Sequence, residues 1–482
     1  MNSKMAYAIG ILTLALGVGC TKRLPAPSLQ DTPVELAAWV PEEMEGLVVF
    51  SSLEALNTAL EQMKKSAPLK PLTEFLEAFE EEAKEEMGVD LFSLSTWQEM
   101  GLETRAPVML GINAREGLME WAAVPVVDQE RLVAAIEKHW MSKEGREAQP
   151  DMPRGLHAWR LPSGNWMLLT QKPGHALMAM GDDLEVLQKR AKLPKEKSWA
   201  KHNEVLLKIN SRLPANRVAS VWFQLDKEKT EEVEWIGAAV TTQPRAKVVL
   251  DITWRQGEKP LLPKMQTVSF ESGQWTQSLG DVMFGIWSSV TWEWAEQLFK
   301  LPFVSWDEEF QRWSTLKQHL EFPLLLRGRI QKAGESEAFR WSLDAVLKEE
   351  SSLKQALEAF VPLMAEEAVE ATQPHRGLPI WEAHSGRQKL WAHASGKNKA
   401  RIADSLHSYE RDAGLLQKTL MQEMTRYPMA VAIHLNALMK LPMARFWLGD
   451  FPEKAEYIVL GLRAEEDHAQ LTMEHFEEAD FR

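Results

Sequence analysis

The residue types that usually perform catalysis are present in this chain, but not in the spacings that catalysis needs. Its 12 histidines form no H-E-x-x-H motif, the pattern that places two zinc ligands on one helix face. No G-x-S-x-G motif is present to expose a nucleophilic serine. Ser395–Lys397 ends like a phosphate-binding loop, but Trp391 stands where that loop needs glycine and Asn398 where it needs Ser or Thr. We therefore expect no catalytic residues, no metal site and no cofactor.

Two Ser-Gly pairs, Ser163-Gly164 and Ser385-Gly386, look like serines poised for attack. Each follows an apolar segment, where Ser-Gly usually forms a turn because glycine adopts left-handed backbone angles freely. Their occurrence at two places favours turns over a single active centre. The 69 acidic residues leave another hydrolase open, one whose paired carboxylates come from dispersed parts of the chain.

Both Ser-Gly pairs belong to a segment that the chain contains twice, at Met119–Gly181 and Phe339–Gly396. The strongest matches are in register without a gap: Gly155, Leu156, Trp159, Ser163 and Gly164 with Gly377, Leu378, Trp381, Ser385 and Gly386. A repeat at a fixed offset predicts a duplicated structural unit. Its repeat-equivalent structural residues are Gly155, Trp159, Gly164, Gly377, Trp381 and Gly386.

The predicted fold class is α+β, with two tandem homologous units of antiparallel sheet and helices packed on one face. Period-two alternation supports the sheets, for example in Val248–Arg255, because alternate strand residues point to opposite faces. The first unit is expected to span residues 41–275 and the second residues 276–482.

The second unit is expected to depart from the first in two places. Asn165–Gln171 has no clear counterpart in it, so one strand is predicted to be missing. Instead, the sequence predicts a long helix from about Asn398 to Met424. Its heptad-spaced residues are Ile402, Leu406, Tyr409, Ala413, Leu416 and Leu420. So short a seam either packs on its own sheet or receives a partner helix, and both alternatives stay open.

The only cysteine, Cys20, follows the features of a secretory signal peptide over residues 1–19. Lys4 supplies a positive start, and the apolar run Ala6–Val18 is too short to span a bilayer comfortably. Leu16–Cys20 resembles the lipobox of bacterial lipoproteins, although the usual leucine three places before the cysteine is Gly17 here. The resemblance implies lipidation at Cys20 and an extracytoplasmic protein anchored to a bacterial membrane.

The residues after Cys20 extend this interpretation. Thr21 rather than Asp follows the cysteine, which by the same resemblance favours the outer membrane. The proline-containing residues 20–40 indicate a tether between the lipid and the fold. A net charge of −14 argues against a nucleic-acid partner, which clustered Lys and Arg would bind.

Apolar residues in the first repeat suggest an alternative function. They are Trp166, Met167, Leu168, Leu169, Leu177, Met178 and Met180. Methionine and aromatic side chains adapt to varied apolar partners, so these residues either line a pocket for acyl chains or fill an ordinary core. The first alternative predicts a periplasmic carrier of lipid or lipoprotein with an apolar cavity.

Three Pro-led turns before strands, at Val40-Pro41, Leu213-Pro214 and Tyr427-Pro428, resemble those of a family of duplicated extracytoplasmic bacterial proteins with no assigned activity. This resemblance implies location and architecture, and it supplies no catalytic residues. The leading expectation is a non-catalytic, lipid-anchored protein of the cell envelope that binds or scaffolds another envelope component. Its expected partners are the membrane, through the N-terminal lipid, and an envelope protein or a lipid ligand.

Overall fold

A computed structural model of the chain describes residues 36–270 and 283–477 with internal gaps. The gaps in the first range are 56, 59–92, 114–117, 140–146, 149–151, 154, 161–163, 193–196, 226–229, 242–244 and 246. Those in the second are 300–314, 334–335, 349–351, 361–368, 371–379, 386–387, 397, 405–414 and 439–455. The chain divides into two compact units, Met1–Lys259 and Pro260–Arg482.

Unit 1 contains strands β1 to β10. Their bounds are Gly46–Phe50, Val108–Asn113, Leu118–Pro125, Glu147–Ala148, Leu156–Arg160, Trp166–Lys172, His175–Gly181, Arg217–Gln224, Val233–Thr241 and Lys247–Trp254. The α-helices α1 to α4 span Leu94–Glu99, Gln129–His139, Leu184–Ala191 and Asn203–Arg212. Two short 3-10 helices, η1 and η2, span Ala37–Trp39 and Trp199–His202.

All described pairings within unit 1 are antiparallel, and they place β1 in the middle of the sheet. The strand order is β10-β9-β8-β1-β2-β3-β7-β6-β5-β4. The alternation predicted for residues 248–255 corresponds to β10, whose buried Val249 and Asp251 share one face.

Helices cover both faces of the unit 1 sheet, so the prediction that helices pack on one face is wrong. One core joins α3, η2 and α4 to the strands through Leu187, Trp199 and Ile209. The other joins α2 to β5, β6 and β7. Consecutive residues separate the two cores, since Leu168 packs in the first and Leu169 in the second, on opposite faces of β6. The sheet therefore buries apolar side chains on both sides.

Unit 2 contains strands β11 to β20. Their bounds are Phe284–Ser288, Leu320–Ala333, Ser336–Leu347, Val369–Glu370, Ile380–Ser385, Gln388–Gly396, Lys399–Ala403, Met429–His434, Glu456–Ala464 and His468–Glu477. The described helices, here α5 to α8, span Trp292–Phe299, Leu353–Phe360, Leu415–Met424 and Leu435–Leu438.

The unit 2 strands are also antiparallel neighbours, in the order β20-β19-β18-β11-β12-β13-β17-β16-β15-β14. Strand for strand, this is the order of unit 1. The main core beneath α7 contains Leu420, Met421 and Met424 packed on Trp287 and Leu325.

Two expectations about unit 2 are wrong for the same reason. Residues 399–403 were expected to begin a helix, but they form β17, which pairs with β13 and β16. In the common strand order, β17 takes the place of β7 and β16 takes the place of β6, the strand at Asn165–Gln171, so the strand expected to be missing is present. The alternation of Ala400 and Ile402 with Lys399, Arg401 and Ala403 suits a strand between two neighbours. The described helix in this region is α7, and residues 405–414 lie outside the described part.

The boundary between the units falls earlier than the predicted division after residue 275. Residues 260–270 hydrogen-bond to elements of unit 2. Trp294 Nε1 donates to the Pro263 carbonyl at 2.9 Å, and the Val268 N–H donates to the Ser289 carbonyl at 2.8 Å. Because backbone groups of this segment find their partners in unit 2, the segment belongs to that unit.

Candidate functional site

One concave site in the described part of unit 1 is a cavity of about 140 Å³. Its lining residues are Ala38, Trp39, Val40, Lys172, Arg190, Ala191 and Ser198. They come from η1, the end of β6, the end of α3 and the residue that precedes η2. Residues far apart in sequence are thus brought together by four separate elements.

Local caps fix the two helices at the cavity. The Asp183 carboxylate accepts the Glu185 and Val186 N–H groups at 2.8 and 3.2 Å, which caps the start of α3. The last turn of α3 then presents Arg190, where a cation suits the negative end of the helix dipole. Ser198 caps η2 by accepting the Ala200 N–H at 3.2 Å.

Backbone contacts hold η1 against the sheet and form one wall of the cavity. Trp121 Nε1 in β3 donates to the Trp39 carbonyl at 2.8 Å. The Trp199 N–H donates to the Val40 carbonyl at 2.9 Å. Both tryptophans are almost fully buried, so packing fixes their N–H groups and thereby positions the wall.

Two cationic side chains reach the cavity. Arg190 Nε lies 2.7 Å from Glu43 Oε1, so the two side chains form an ion pair. Lys172 Nζ instead donates to the Ala191 carbonyl at 2.9 Å. Burial lowers the pKa of the half-buried Lys172 ammonium below its usual value, because the charged form loses solvation. The cavity can therefore accommodate a small anion or a polar group.

A buried charge cluster of three described residues lies in unit 2, around Asp344 of β13. Arg401 donates to its two oxygens from Nε and Nη2 at 2.6 and 2.9 Å. Arg327 Nη2 donates to Oδ2 at 3.0 Å. Burial acts to raise the Asp344 pKa, but the two guanidinium groups outweigh it and hold the pKa below 3.8. The carboxylate is thus a fixed anion rather than a proton donor.

Unit 1 has a smaller buried ion pair at its edge strand. Arg212 at the end of α4 donates to both oxygens of Asp251, at 2.8 and 2.6 Å. Thr253 Oγ1 donates to Asp251 at 3.1 Å. Elsewhere in the unit, burial lowers the pKa of Arg217 to about 10 while it donates to Asn210 Oδ1 at 3.1 Å. These groups bind elements together and offer no exposed reactive atom.

Four of the six repeat-equivalent residues lie in the described part of the chain. Gly155 and Gly164 have φ of +80° and +87°, in turns on either side of β5, where glycine adopts this backbone without strain. Trp159 is buried in the core beneath α2. Trp381 lies in β15 with Lys354 Nζ 5.6 Å from its ring centroid. Gly377 and Gly386 lie outside the described residues, as does Cys20.

The residues proposed to line one acyl pocket are divided between the two faces of unit 1. Leu168 and Leu177 are buried in the core beneath α3 and α4, whereas Met167 and Leu169 are buried in the core beneath α2. Because successive strand residues point to opposite faces, they cannot surround one cavity. In the described structure Met180 is exposed, and the other residues of this set pack in two separate cores.

The segment that resembles the end of a phosphate-binding loop lies between two strands. Ser395 and Gly396 end β16, and Asn398 follows with a left-handed φ of 55° before β17. Asparagine tolerates this backbone, so the segment forms a tight reversal between strands.

The sequence patterns did not single out Lys172, Arg190 or Asp344. Lys172 ends an alternating strand and Arg190 ends an amphipathic helix, which are ordinary positions for exposed cations. Asp344 was visible as the single acid in the apolar run Ser342–Val346, and a lone charge in such a run is a signal for a buried pair.

Comparisons with protein-family models, with curated proteins and with solved structures found no match. Within the described ranges, no three His, Cys, Asp or Glu residues gather closely enough to hold a metal ion. Among the helices that the structure describes, none is both long and apolar enough to cross a membrane.

Proposed function

We propose that this chain is a non-catalytic lipoprotein of the bacterial cell envelope that binds or scaffolds another envelope component through its outer surface. Cys20 supplies the lipid attachment point, and residues 20–40 link it to unit 1. The lipobox-like run Leu16–Cys20 and the single cysteine support the anchor. By the same resemblance, Thr21 after the cysteine favours the outer membrane.

The filled interior of unit 1 is the observation that supports surface binding. Its sheet carries an apolar core on each face, and the cavity of about 140 Å³ is smaller than the roughly 300–1,000 Å³ of typical small-molecule pockets. An acyl-chain carrier needs a longer apolar space. Binding of a protein partner needs only an outer surface.

The buried acids support a non-catalytic role over a hydrolase. Asp344 and Asp251 are each held by bidentate arginine contacts. A general acid or base must present an exchangeable proton to a substrate, usually with a pKa near the working pH. The buried Asp344 carboxylate, whose pKa the two guanidinium groups hold low, does not meet that requirement.

The common strand order supports the further proposal that the two units descend from one duplicated ancestor. Each unit places its first strand fourth from one edge and places its third strand beside its seventh. Complex antiparallel orders of this kind are numerous, so the same order twice in one chain favours copying. A duplicated binding unit could engage two sites at once and gain avidity.

The lipid attachment is tested by metabolic labelling with an alkyne-bearing fatty acid in cells that express the tagged chain. Label is expected on the wild-type protein and is expected to be lost in Cys20→Ser. Equal labelling of both proteins would refute lipidation at this thiol.

The binding role is tested by crosslinking in intact cells, followed by affinity capture and mass spectrometry. A reproducible envelope protein is expected with the wild-type chain and not with a matched lipoprotein of unrelated fold. Recovery of bound lipid without a protein neighbour would instead support the carrier.

A further inference from the structure

The cavity of unit 1 holds a positive charge for which the structure gives no carboxylate. Lys172 is half-buried, and its one hydrogen bond is to the neutral Ala191 carbonyl. Within the described part of the chain, no Asp or Glu forms an ion pair with it. The neighbouring Arg190 contrasts with it, because Glu43 lies 2.7 Å away.

An uncompensated cation in a partly dry site is unfavourable, since burial removes water that would stabilise the charge. The pKa of Lys172 is lowered for this reason, because burial disfavours the charged form. Capping the C-terminal end of α3 offsets part of it, because the ammonium meets a helix-end carbonyl. That contact uses one of its three N–H donors, and the others remain available to an acceptor.

The size and lining of the cavity restrict what that acceptor can be. About 140 Å³ is room for a few groups the size of water, each of which occupies about 30 Å³ in the liquid. Three of the seven lining residues, Ala38, Ala191 and Ser198, have small side chains. A compact oxyanion suits such a space, whereas an acyl chain or a nucleotide does not.

We propose that the cavity formed by Lys172, Arg190, Ser198 and residues 38–40 binds a phosphate group, with the Lys172 ammonium as its principal charged contact. The phosphate belongs either to the free inorganic ion or to the headgroup of an anionic lipid. The cavity wall Ala38–Val40 is the last part of the predicted tether, residues 20–40, so the second source depends on the proposed lipid anchor. The first source does not.

The test uses the wild-type chain and measures the acetylation rate of Lys172 by peptide mass spectrometry at a limiting concentration of reagent. Inorganic phosphate is titrated against chloride at equal ionic strength. Phosphate is expected to slow acetylation of Lys172 at least fivefold. The rate at Lys189, an exposed lysine on the same helix as Arg190, is expected to stay unchanged and serves as the internal control. Equal protection of both lysines would overturn the proposal. Absence of Lys172 protection by inorganic phosphate and also by the vesicles described next would overturn it as well.

A second arm identifies the source of the phosphate. Vesicles of phosphatidylcholine with phosphatidic acid are compared with vesicles of phosphatidylcholine alone. Protection by inorganic phosphate indicates the free ion, and protection only by the vesicles with phosphatidic acid indicates a headgroup. Either result supports the site, and protection by neither refutes it. Failure of the vesicle arm alone leaves the lipid anchor to be judged by the labelling at Cys20.

Two variants give an independent measurement. Lys172→Met is expected to weaken phosphate binding at least tenfold by calorimetry, while Lys189→Met leaves it unchanged. If Lys172→Met does not fold, Lys172→Arg retains the charge and is expected to bind within about threefold of wild type. Phosphate affinity that is equal in Lys172→Met and in wild type would contradict the assignment.

Discussion

The two units have the same strand order, but the third strand of each unit buries side chains of a different kind. In unit 1, the third strand buries Trp121 and Ala123 against η1, η2 and the helices of the same core. In unit 2, the third strand buries Asp344 between Arg327 and Arg401. The strand beside it, β17, supplies one of these arginines, whereas β7 of unit 1 supplies Leu177 at its own pairing with Ala123.

This difference shows that the strand order does not depend on one kind of core. An apolar centre gains from burial of area, while a charge cluster must be complete to be tolerated, because each member compensates another. We therefore expect the stability of unit 1 to fall gradually as its core side chains are replaced by smaller ones. Unit 2 should respond sharply to removal of any one charge.

The largest expected effect is the loss of the central anion in unit 2. Asp344→Asn leaves Arg327, which is fully buried, without its carboxylate and should lower the free energy of unfolding by about 3–5 kcal/mol. Asp251→Asn in unit 1 should lower it by only about 1.5–3 kcal/mol, because Arg212 is 13% exposed and can turn toward water. Urea unfolding followed by circular dichroism measures both. Equal losses of unfolding free energy in the two variants would contradict the expected difference between the two buried charge clusters.

A smaller effect is expected where a glycine lies beneath an aromatic ring. A Cβ at Gly46 in unit 1 would meet the ring of Phe223, which is 3% exposed and tightly packed. Gly46→Ala should therefore destabilise by about 1–3 kcal/mol. A Cβ at Gly328 in unit 2 would meet Phe284, a partly exposed ring that can move, so Gly328→Ala should change stability by less than about 1 kcal/mol. Thermal unfolding of the two variants compares them, and the reverse ranking would contradict the packing argument.

The pH dependence of stability should also separate the units. Burial lowers the pKa of His202 in unit 1 below 6.5, Lys201 adds to the lowering, and Glu42 opposes it. The unfolded chain then binds the proton more readily, so this contribution is fully present above pH 6.5 and is lost as the pH falls through the folded pKa. In unit 2, the Asp344 contribution is fully present above pH 3.8 and is lost only at lower pH.

The measurement is the urea midpoint between about pH 7.5 and pH 5.5, a range in which histidine is the side chain that titrates. His202→Gln should reduce the small decrease seen across this range in the wild type. An unchanged slope in His202→Gln would exclude this residue as the cause.

The smallest effects are expected at exposed ion pairs in both units. Lys189 and Glu185 in unit 1 are 77% and 84% exposed, and Lys264 and Glu466 in unit 2 are 52% and 80% exposed. Lys189→Ala and Lys264→Ala should each change the free energy of unfolding by less than about 0.5 kcal/mol, because water and salt screen such pairs. A loss of more than about 1 kcal/mol at either site would show that the pair has a structural role beyond its charge.

Local patterns predicted the strands well where one strand face is apolar. The alternation from Val248 to Arg255 corresponds to β10, and the segment Met119–Val127 overlaps β3. The same approach failed at Lys399–Ala403, because Ile402 also matched the heptad spacing of the predicted helix. Pairing with β13 and β16 decides between the two patterns, and such pairing is not visible in a short window of sequence.

The cavity could not be predicted for a different reason. Lys172 is one of 55 basic residues, and nothing in its neighbours distinguishes it. Its chemistry comes from long-range packing, which brings residues 38–40 and the end of α3 around its side chain. The division of helices between the two sheet faces was missed similarly, because the apolar stripe of α2 resembles that of α3. A stripe predicts burial but not which face receives it.

The tryptophan contacts at the start of the fold also have a mechanical consequence. Trp121 holds the Trp39 carbonyl, while Trp199 holds the carbonyls of Val40 and Met44 through its backbone and ring N–H groups. If the N-terminus is anchored to a bilayer, a force that pulls on the protein acts on these hydrogen bonds before it acts on β1. These hydrogen bonds lie among buried aromatic rings and would have to break together. They therefore protect β1 from being pulled away from its neighbouring strands.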